Sequence, residues 1–156
     1  NVGRVAEVRG EWDAAEAAYQ ESLGLARGLE ESLGTPEARR DLSVSLDNVG
    51  RVAEVRGEWD AAEAAYQESL GLARGLEESL GTPEARRDLS VSLDNVGRVA
   101  EARGEWDAAE EAYRESLEVR QELDDLLGTP QAQQDVSTSQ ENLKRLSQKR
   151  ADLGEL

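Results

Sequence analysis

The sequence contains no cysteine, histidine, methionine or phenylalanine. Without cysteine there are no disulfides and no thiolate metal sites, and without histidine there is no imidazole base or zinc ligand set. Neither a phosphate-binding GxxxxGK(S/T) loop nor a calcium loop of alternating acids followed by glycine is present. The carboxylates recur along the chain instead of converging at one place. We therefore predict that the protein is not an enzyme and has no catalytic residues, cofactor or metal.

Basic residues are also few, since 18 lysines and arginines stand against 34 aspartates and glutamates, for a net charge of -16. A field of that sign opposes phosphate backbones and anionic lipid surfaces, which disfavours nucleic-acid and membrane partners. No apolar run approaches the ~18 residues of a membrane-spanning helix, and no signal-peptide pattern is present. We accordingly predict a cytoplasmic location.

Large core side chains are scarce, because aromatic residues make up only 4% of the chain and charged residues 33%. Alanine, valine and leucine must therefore supply the core. Such small side chains favour thin helices that approach each other closely over a thick globular core.

A unit of 47 residues repeats along the chain. Residues 1–47 and 48–94 are identical, residues 95–141 match them at most positions, and a fourth, more divergent copy begins at Asn142. We predict one domain, residues 1–156, built from four segments. These are a truncated first repeat (1–34), a second repeat (35–81), a third repeat (82–128) and a C-terminal capping helix (129–156).

Each unit contains signals for two helices. The first-type helix opens at Thr82 with a proline in its first turn, and we predict that it ends at Gly104. The second-type helix opens at Glu105 and Trp106 and ends at Gly128. The turns between them are short, which forces neighbouring helices to be antiparallel. The whole chain then has seven helices, of which residues 1–9 form the truncated first.

Small residues are predicted to let the helices of one hairpin pack closely. Gly50 and Ala53 on the first helix face alanines on the next, and Trp59 and Tyr66 fill the remaining wedge. Two pairs of glycines, one turn apart on the second-type helices, are predicted to pack against a neighbouring helix. These pairs are Gly24 with Gly28 and Gly71 with Gly75.

The last first-type helix, the predicted capping helix, has polar residues at positions that are small or apolar in the earlier ones, as a terminal capping helix requires. Lys144 stands in the place of Gly97, Ser147 in that of Ala100, and Gln140 in that of Leu93.

The repeat resembles the tetratricopeptide repeat. The resemblance is carried by Asn48-Val49-Gly50, Ala53, Gly57-Glu58-Trp59-Asp60, Ala62, Tyr66 and Leu70. Both helices are longer than in the usual 34-residue unit, and Ser69 stands where the family usually has alanine. Long-helix variants, such as those of kinesin light chain, are the more similar. The resemblance implies an all-α, right-handed α-solenoid of antiparallel hairpins whose first-type helices line a concave, peptide-binding groove.

The candidate binding residues form two rows on the first-type helices, one of asparagine and one of arginine. They are Asn48, Arg51, Asn95, Arg98, Asn142 and Arg145, with Asn1 and Arg4 at the start of the rows. Asparagine carries both donor and acceptor and can hydrogen-bond an extended peptide backbone; the resemblance supports that role. The family's carboxylate-gripping members have a lysine one residue earlier, where this chain has an acid. The alternative is structural, with Asn48 bonding the neighbouring repeat and Arg51 pairing with Asp47 at i,i+4.

We predict a non-catalytic scaffold that binds a protein or peptide in its groove, with apolar contacts at Val44, Val55 and Val91. Two alternatives stay open. The chain either associates end to end with copies of itself, or serves as a sensory or regulatory arm of a larger bacterial signalling protein.

Overall fold

The computed structural model describes residues 10–154, which form six helices with short turns between them. The helices are α1 (Trp12–Leu33), α2 (Pro36–Val55), α3 (Trp59–Leu80), α4 (Pro83–Ala102), α5 (Trp106–Leu127) and α6 (Pro130–Asp152). No strand occurs within residues 10–154. The predicted fold class, an all-α helical-repeat solenoid, is confirmed. The truncated helix predicted over residues 1–9 lies outside the described residues, and the right-handed sense of the solenoid and the division into repeats stay predictions.

A threonine begins each first-type helix, as predicted. The Thr82 backbone is extended, at φ -79° and ψ 154°, and its side chain accepts a hydrogen bond of 3.1 Å from the backbone N–H of Ala85. This bond satisfies one of the N–H groups that the first turn leaves without a partner. Thr35 and Thr129 cap α2 and α6 in the same way. Pro83 follows without the loss of a helical hydrogen bond, since a backbone N–H at that position would have no partner within the helix.

Glycines in the left-handed conformation end the helices. Gly128 has a φ of 59°, and its N–H donates to the carbonyl of Asp124 at 2.7 Å. Gly104, at φ 75°, turns the chain between α4 and α5, and the N–H of Glu105 then reaches the carbonyl of Ala100 at 2.9 Å. Only glycine adopts this conformation without a steric cost. The helix ends predicted at these glycines are confirmed.

The chain divides within α3 into two compact units, residues 1–76 and 77–156. In the first unit, Gly50 of α2 lies under the ring of Tyr66, and a Cβ at Gly50 would be 2.6 Å from the ring. The buried Ser69 of α3 donates to the carbonyl of Ser43 on α2 at 3.1 Å. The predicted close approach is thus confirmed. A hydroxyl at Ser69 replaces the family's alanine because it can bond the opposing backbone.

In the second unit, α4 and α5 run antiparallel. The Ser116 hydroxyl bonds the carbonyl of Ser90, and the ring of Tyr113 lies on Gly97. The later residue of α4 therefore contacts the earlier residue of α5. Helix α6 packs on α5 and closes this core. The cluster that joins the three helices contains Ala100, Ala109, Tyr113 and Leu146.

The packing predicted for the two glycine pairs is wrong. A Cβ built on Gly24, Gly28, Gly71 or Gly75 meets no other atom within 4 Å. These glycines lie on the exposed side of α1 and α3. The close approach in this chain is made by the glycines of the first-type helices instead.

Candidate functional site

A cavity of about 420 Å³ lies in the second unit and is bounded mainly by the two first-type helices α4 and α6. Its wall is polar. The lining residues are Asp94, Arg98, Glu101, Ala102, Tyr113, Thr138, Asn142, Arg145 and Lys149. We call this site the α4–α6 groove. Its residues recur at steps of three and four along each helix, which places them on one face.

A buried carboxylate holds the groove together. Glu101 of α4 is 5% exposed and accepts hydrogen bonds from the Tyr113 hydroxyl at 2.8 Å and from the Lys149 ammonium at 2.6 Å. The guanidinium of Arg145 donates to both carboxylate oxygens, at 2.9 and 3.2 Å. Burial by itself would raise the pKa of Glu101, but the bonds from Arg145, Lys149 and Tyr113 outweigh it and lower that pKa to about 2.

The cations of the groove remain half in solvent. The side chains of Arg145 and Lys149 are 44% and 50% exposed, although both contact Glu101. Asn142 lines the groove from the same helix, α6, and Arg98 lines it from α4. The site therefore presents hydrogen-bond donors to solvent above a carboxylate that is already fully bonded.

On α4 and on α6, the arginine of the arginine row donates a hydrogen bond to the asparagine three residues before it. Arg98 donates to the side-chain carbonyl of Asn95 at 3.1 Å, and Arg145 donates to that of Asn142 at 3.0 Å. These i,i+3 bonds orient the guanidinium groups along the helix face.

Two arginines of the row also stack on tyrosines of the second-type helix before them. Arg51 donates to the Tyr19 hydroxyl at 3.1 Å and lies 5.7 Å from the centre of its ring. Arg145 makes the same pair of contacts with Tyr113, at 3.2 and 5.9 Å. The contacts are those of a cation–π pair, so both arginines also join successive helices of the repeat.

The structure brings three of the six predicted residues, Arg98, Asn142 and Arg145, into one groove. Asn95 lies next to it through its bond to Arg98. Asn48 and Arg51 belong to the first unit, where both are half-buried on α2. Asn1 and Arg4 lie outside the described residues.

The predicted apolar contacts are exposed. Val44, Val55 and Val91 are 51%, 53% and 37% exposed. Their use by a partner stays a prediction.

The roles of two buried side chains of this unit, Arg120 and Glu101, were not predicted from the sequence. Arg120 is only 5% exposed and bonds Asp94 at 2.7 Å and Ser139 of α6 at 2.9 Å. Burial raises the pKa of Asp94, against the lowering effect of Arg120. The available signal was that Arg120 replaces Ala26 and Ala73 of the other copies within an apolar stripe. Glu101 gave no such signal, because the same glutamate occurs in every full copy.

Comparison with known proteins supports the helical-repeat fold. The tetratricopeptide repeat family matches the chain twice, over residues 45–80 and 89–123. These segments are tetratricopeptide repeats. The predicted resemblance is confirmed, and each match covers the C-terminal part of a first-type helix together with all or most of the second-type helix after it.

Among solved structures, BtubC (BKLC) from P. vanneervenii is similar, with a TM-score of 0.67 and 21% sequence identity. The similarity covers 92% of this chain and 51% of that one, so the chain spans about half the length of that relative. It shows a shared fold. The DHF58 filament is also similar, at 18% identity over 99% of this chain and 78% of that one, with a TM-score of 0.48. No curated protein matches the sequence.

Within residues 10–154, no helix is long and apolar enough to cross a membrane. The same residues contain no cluster of acidic side chains arranged to hold a metal ion.

Proposed function

We propose that this tetratricopeptide-repeat chain is a protein-interaction module that binds a peptide segment in the α4–α6 groove. Repeats of this family suggest an interaction scaffold. The observation that carries the proposal is the groove itself, in which half-exposed donors surround a cavity large enough for several side-chain groups.

The charge of the groove supports a partner with at least one carboxylate. The charged lining residues of the groove are three cations and two anions, in a chain whose net charge is -16: Arg98, Arg145, Lys149, Asp94 and Glu101. Glu101 is already neutralised by its partners, which leaves the groove more positive than the rest of the surface. Electrostatic complementarity of this kind raises the rate of association and selects among partners.

Asn142 is proposed to bond the backbone of the partner. Its carbonyl accepts from Arg145, and the amide nitrogen of the same group is a donor suited to a peptide carbonyl. Arg98 and Arg145 contact the carboxylate, and the exposed Val91 adds an apolar contact at the edge.

The test begins with selection of binders from a random 12-residue peptide library displayed on phage. The affinity of the selected peptide is then measured for the chain and for Asn142→Ala. Loss of one bond to the partner predicts a fall of about fivefold, since a net hydrogen bond contributes about 1 kcal/mol.

Gln133→Ala is the matched control, because it removes an exposed amide from the same helix outside the groove. Its affinity is expected to stay unchanged. Selection of no peptide, or an equal loss in both variants, would show that the groove is not used.

The alternatives of end-to-end association and of an arm of a larger signalling protein stay predictions, as does the cytoplasmic location.

A further inference from the structure

Helices α1 and α3 have the same 22-residue sequence and provide an internal comparison. Their burial differs. Leu29 of α1 is 53% exposed, whereas its counterpart Leu76 on α3 is 6% exposed. Leu25 is 66% exposed, whereas its counterpart Leu72 packs on the core. Since the sequences are identical, the difference comes from what lies against each helix.

The N-terminal half of α2 covers the corresponding face of α3. Leu72 packs against a cluster that includes Leu42 and Leu46 of α2. Ser69, with no exposed surface, bonds the carbonyl of Ser43 at 3.1 Å and its hydroxyl at 2.7 Å. Ser22, the counterpart of Ser69, is exposed.

We propose that the face of α1 formed by Ser22, Leu25 and Leu29 is a docking surface for one more first-type helix. That helix has the sequence of residues 35–47 and is joined directly ahead of Asn1. Asp47 precedes Asn48, the counterpart of Asn1, so the register of the repeat continues without a gap. The added copies of Leu42 and Leu46 cover Leu25 and Leu29, and the added serine bonds Ser22.

The last helix of a second copy does not fit the same surface. Lys144 of α6 stands where α2 has Gly50, at which a Cβ would already lie 2.6 Å from the tyrosine ring of the facing helix. Gln140 stands where α2 has Leu46, which packs in the core. The occupant is therefore a helix of the α2 type and not the end of another molecule.

The experiment compares thermal unfolding of the original chain with that of a chain carrying a copy of residues 35–47 ahead of Asn1. The midpoint is expected to rise by about 5 °C or more, because two leucine side chains leave water. A control extension has serine in place of both leucine copies and is expected to give no rise. Equal midpoints for the two extensions would overturn the proposal.

A second variant locates the contact. Leu29→Ser is expected to change the original chain little, since the side chain is half-exposed there, and to remove the gain from the extended chain. An equal effect in both chains would place the added helix elsewhere. Sedimentation of the original chain, run over a range of concentrations, is expected to show one mass; growth into head-to-tail multimers would make a second copy the occupant and would also overturn the proposal.

Discussion

Replacing Gly97 by alanine tests the close approach of α4 and α5. The added Cβ would lie 2.7 and 2.9 Å from two ring carbons of Tyr113, whereas carbon atoms attract best at about 3.5–4.0 Å. The ring cannot move aside freely. It is 1% exposed, and its hydroxyl bonds Glu101 at 2.8 Å and Arg145 at 3.2 Å. Either the helices separate by nearly 1 Å or the tyrosine loses these bonds.

The magnitude follows from two opposing terms. Alanine is better than glycine inside a helix by about 1 kcal/mol, and overpacking a core costs about 1–3 kcal/mol. We expect Gly97→Ala to lower the free energy of unfolding by about 1–2 kcal/mol, since a buried, bonded ring lies near the costly end of that range. Gly71→Ala is the control, because a Cβ there meets nothing within 4 Å. It should raise stability by about 0.5–1 kcal/mol.

Urea unfolding followed by circular dichroism measures both variants, with the midpoint and slope fitted for each. We expect shifts of opposite sign. If Gly97→Ala is as stable as Gly71→Ala, the glycine is not required for the approach and the packing argument fails.

Three further predictions concern the second unit. The ionised Glu101 should stabilise the wild-type protein fully above about pH 5, and this stabilisation should be lost as the pH falls from the ordinary carboxyl pKa of 4.5 towards 2. Glu101→Gln should lack this pH-dependent contribution to the free energy of unfolding. Urea midpoints of both proteins across this range measure the difference, and parallel curves would refute it. Arg120→Ala leaves Asp94 without its guanidinium partner and should lower the free energy of unfolding by about 3 kcal/mol. The double variant Asp94→Asn, Arg120→Ala should regain part of that loss. Equal stability of the single variant and the wild type would show that the ion pair contributes nothing. Thr82→Ala removes the cap bond to Ala85 and should cost about 1 kcal/mol by thermal unfolding, whereas no change would mean that the bond is not needed to begin α4.

Local signals in the sequence predicted the fold well, because they act on the backbone directly. Thr82 and Pro83 begin α4, as predicted. Gly104 and Gly128 have the left-handed conformation expected of a glycine that ends a helix. The identity of successive copies showed that these signals recur. Gly50 could be assigned to a helix contact because it is small and because Tyr66, on the next helix of the hairpin, was expected to fill the space beside it.

Side-chain contacts between elements were harder to predict. Gly71 and Gly75 looked like a close contact, but spacing along one helix does not say which side faces a neighbour, and both face solvent. The burial of Arg120 was not predicted, since arginine is seldom buried without a partner. The partner, Asp94, lies on another helix, and sequence spacing alone does not reveal such pairs.

For the candidate site, the row of polar residues was predicted from the repeat, and the structure brings Arg98, Asn142 and Arg145 to one groove. The role of Glu101 was missed, because it depends on Arg145 and Lys149, more than forty residues away in sequence.

The most direct test of peptide binding in the α4–α6 groove is a titration of the ¹⁵N-labelled chain with the selected peptide, followed by nuclear magnetic resonance. The sequence around Asn142 and Arg145 has no exact copy in the chain, so their signals are distinct; the signal of Arg98, which lies where residues 82–101 repeat residues 35–54, is assigned from its loss in an Arg98→Lys variant. We expect the signals of the Asn142 side-chain amide and of the Arg98 and Arg145 backbone amides to shift together and to saturate at one peptide per chain. Shifts confined to α5 and α1, with these three unchanged, would contradict this expectation.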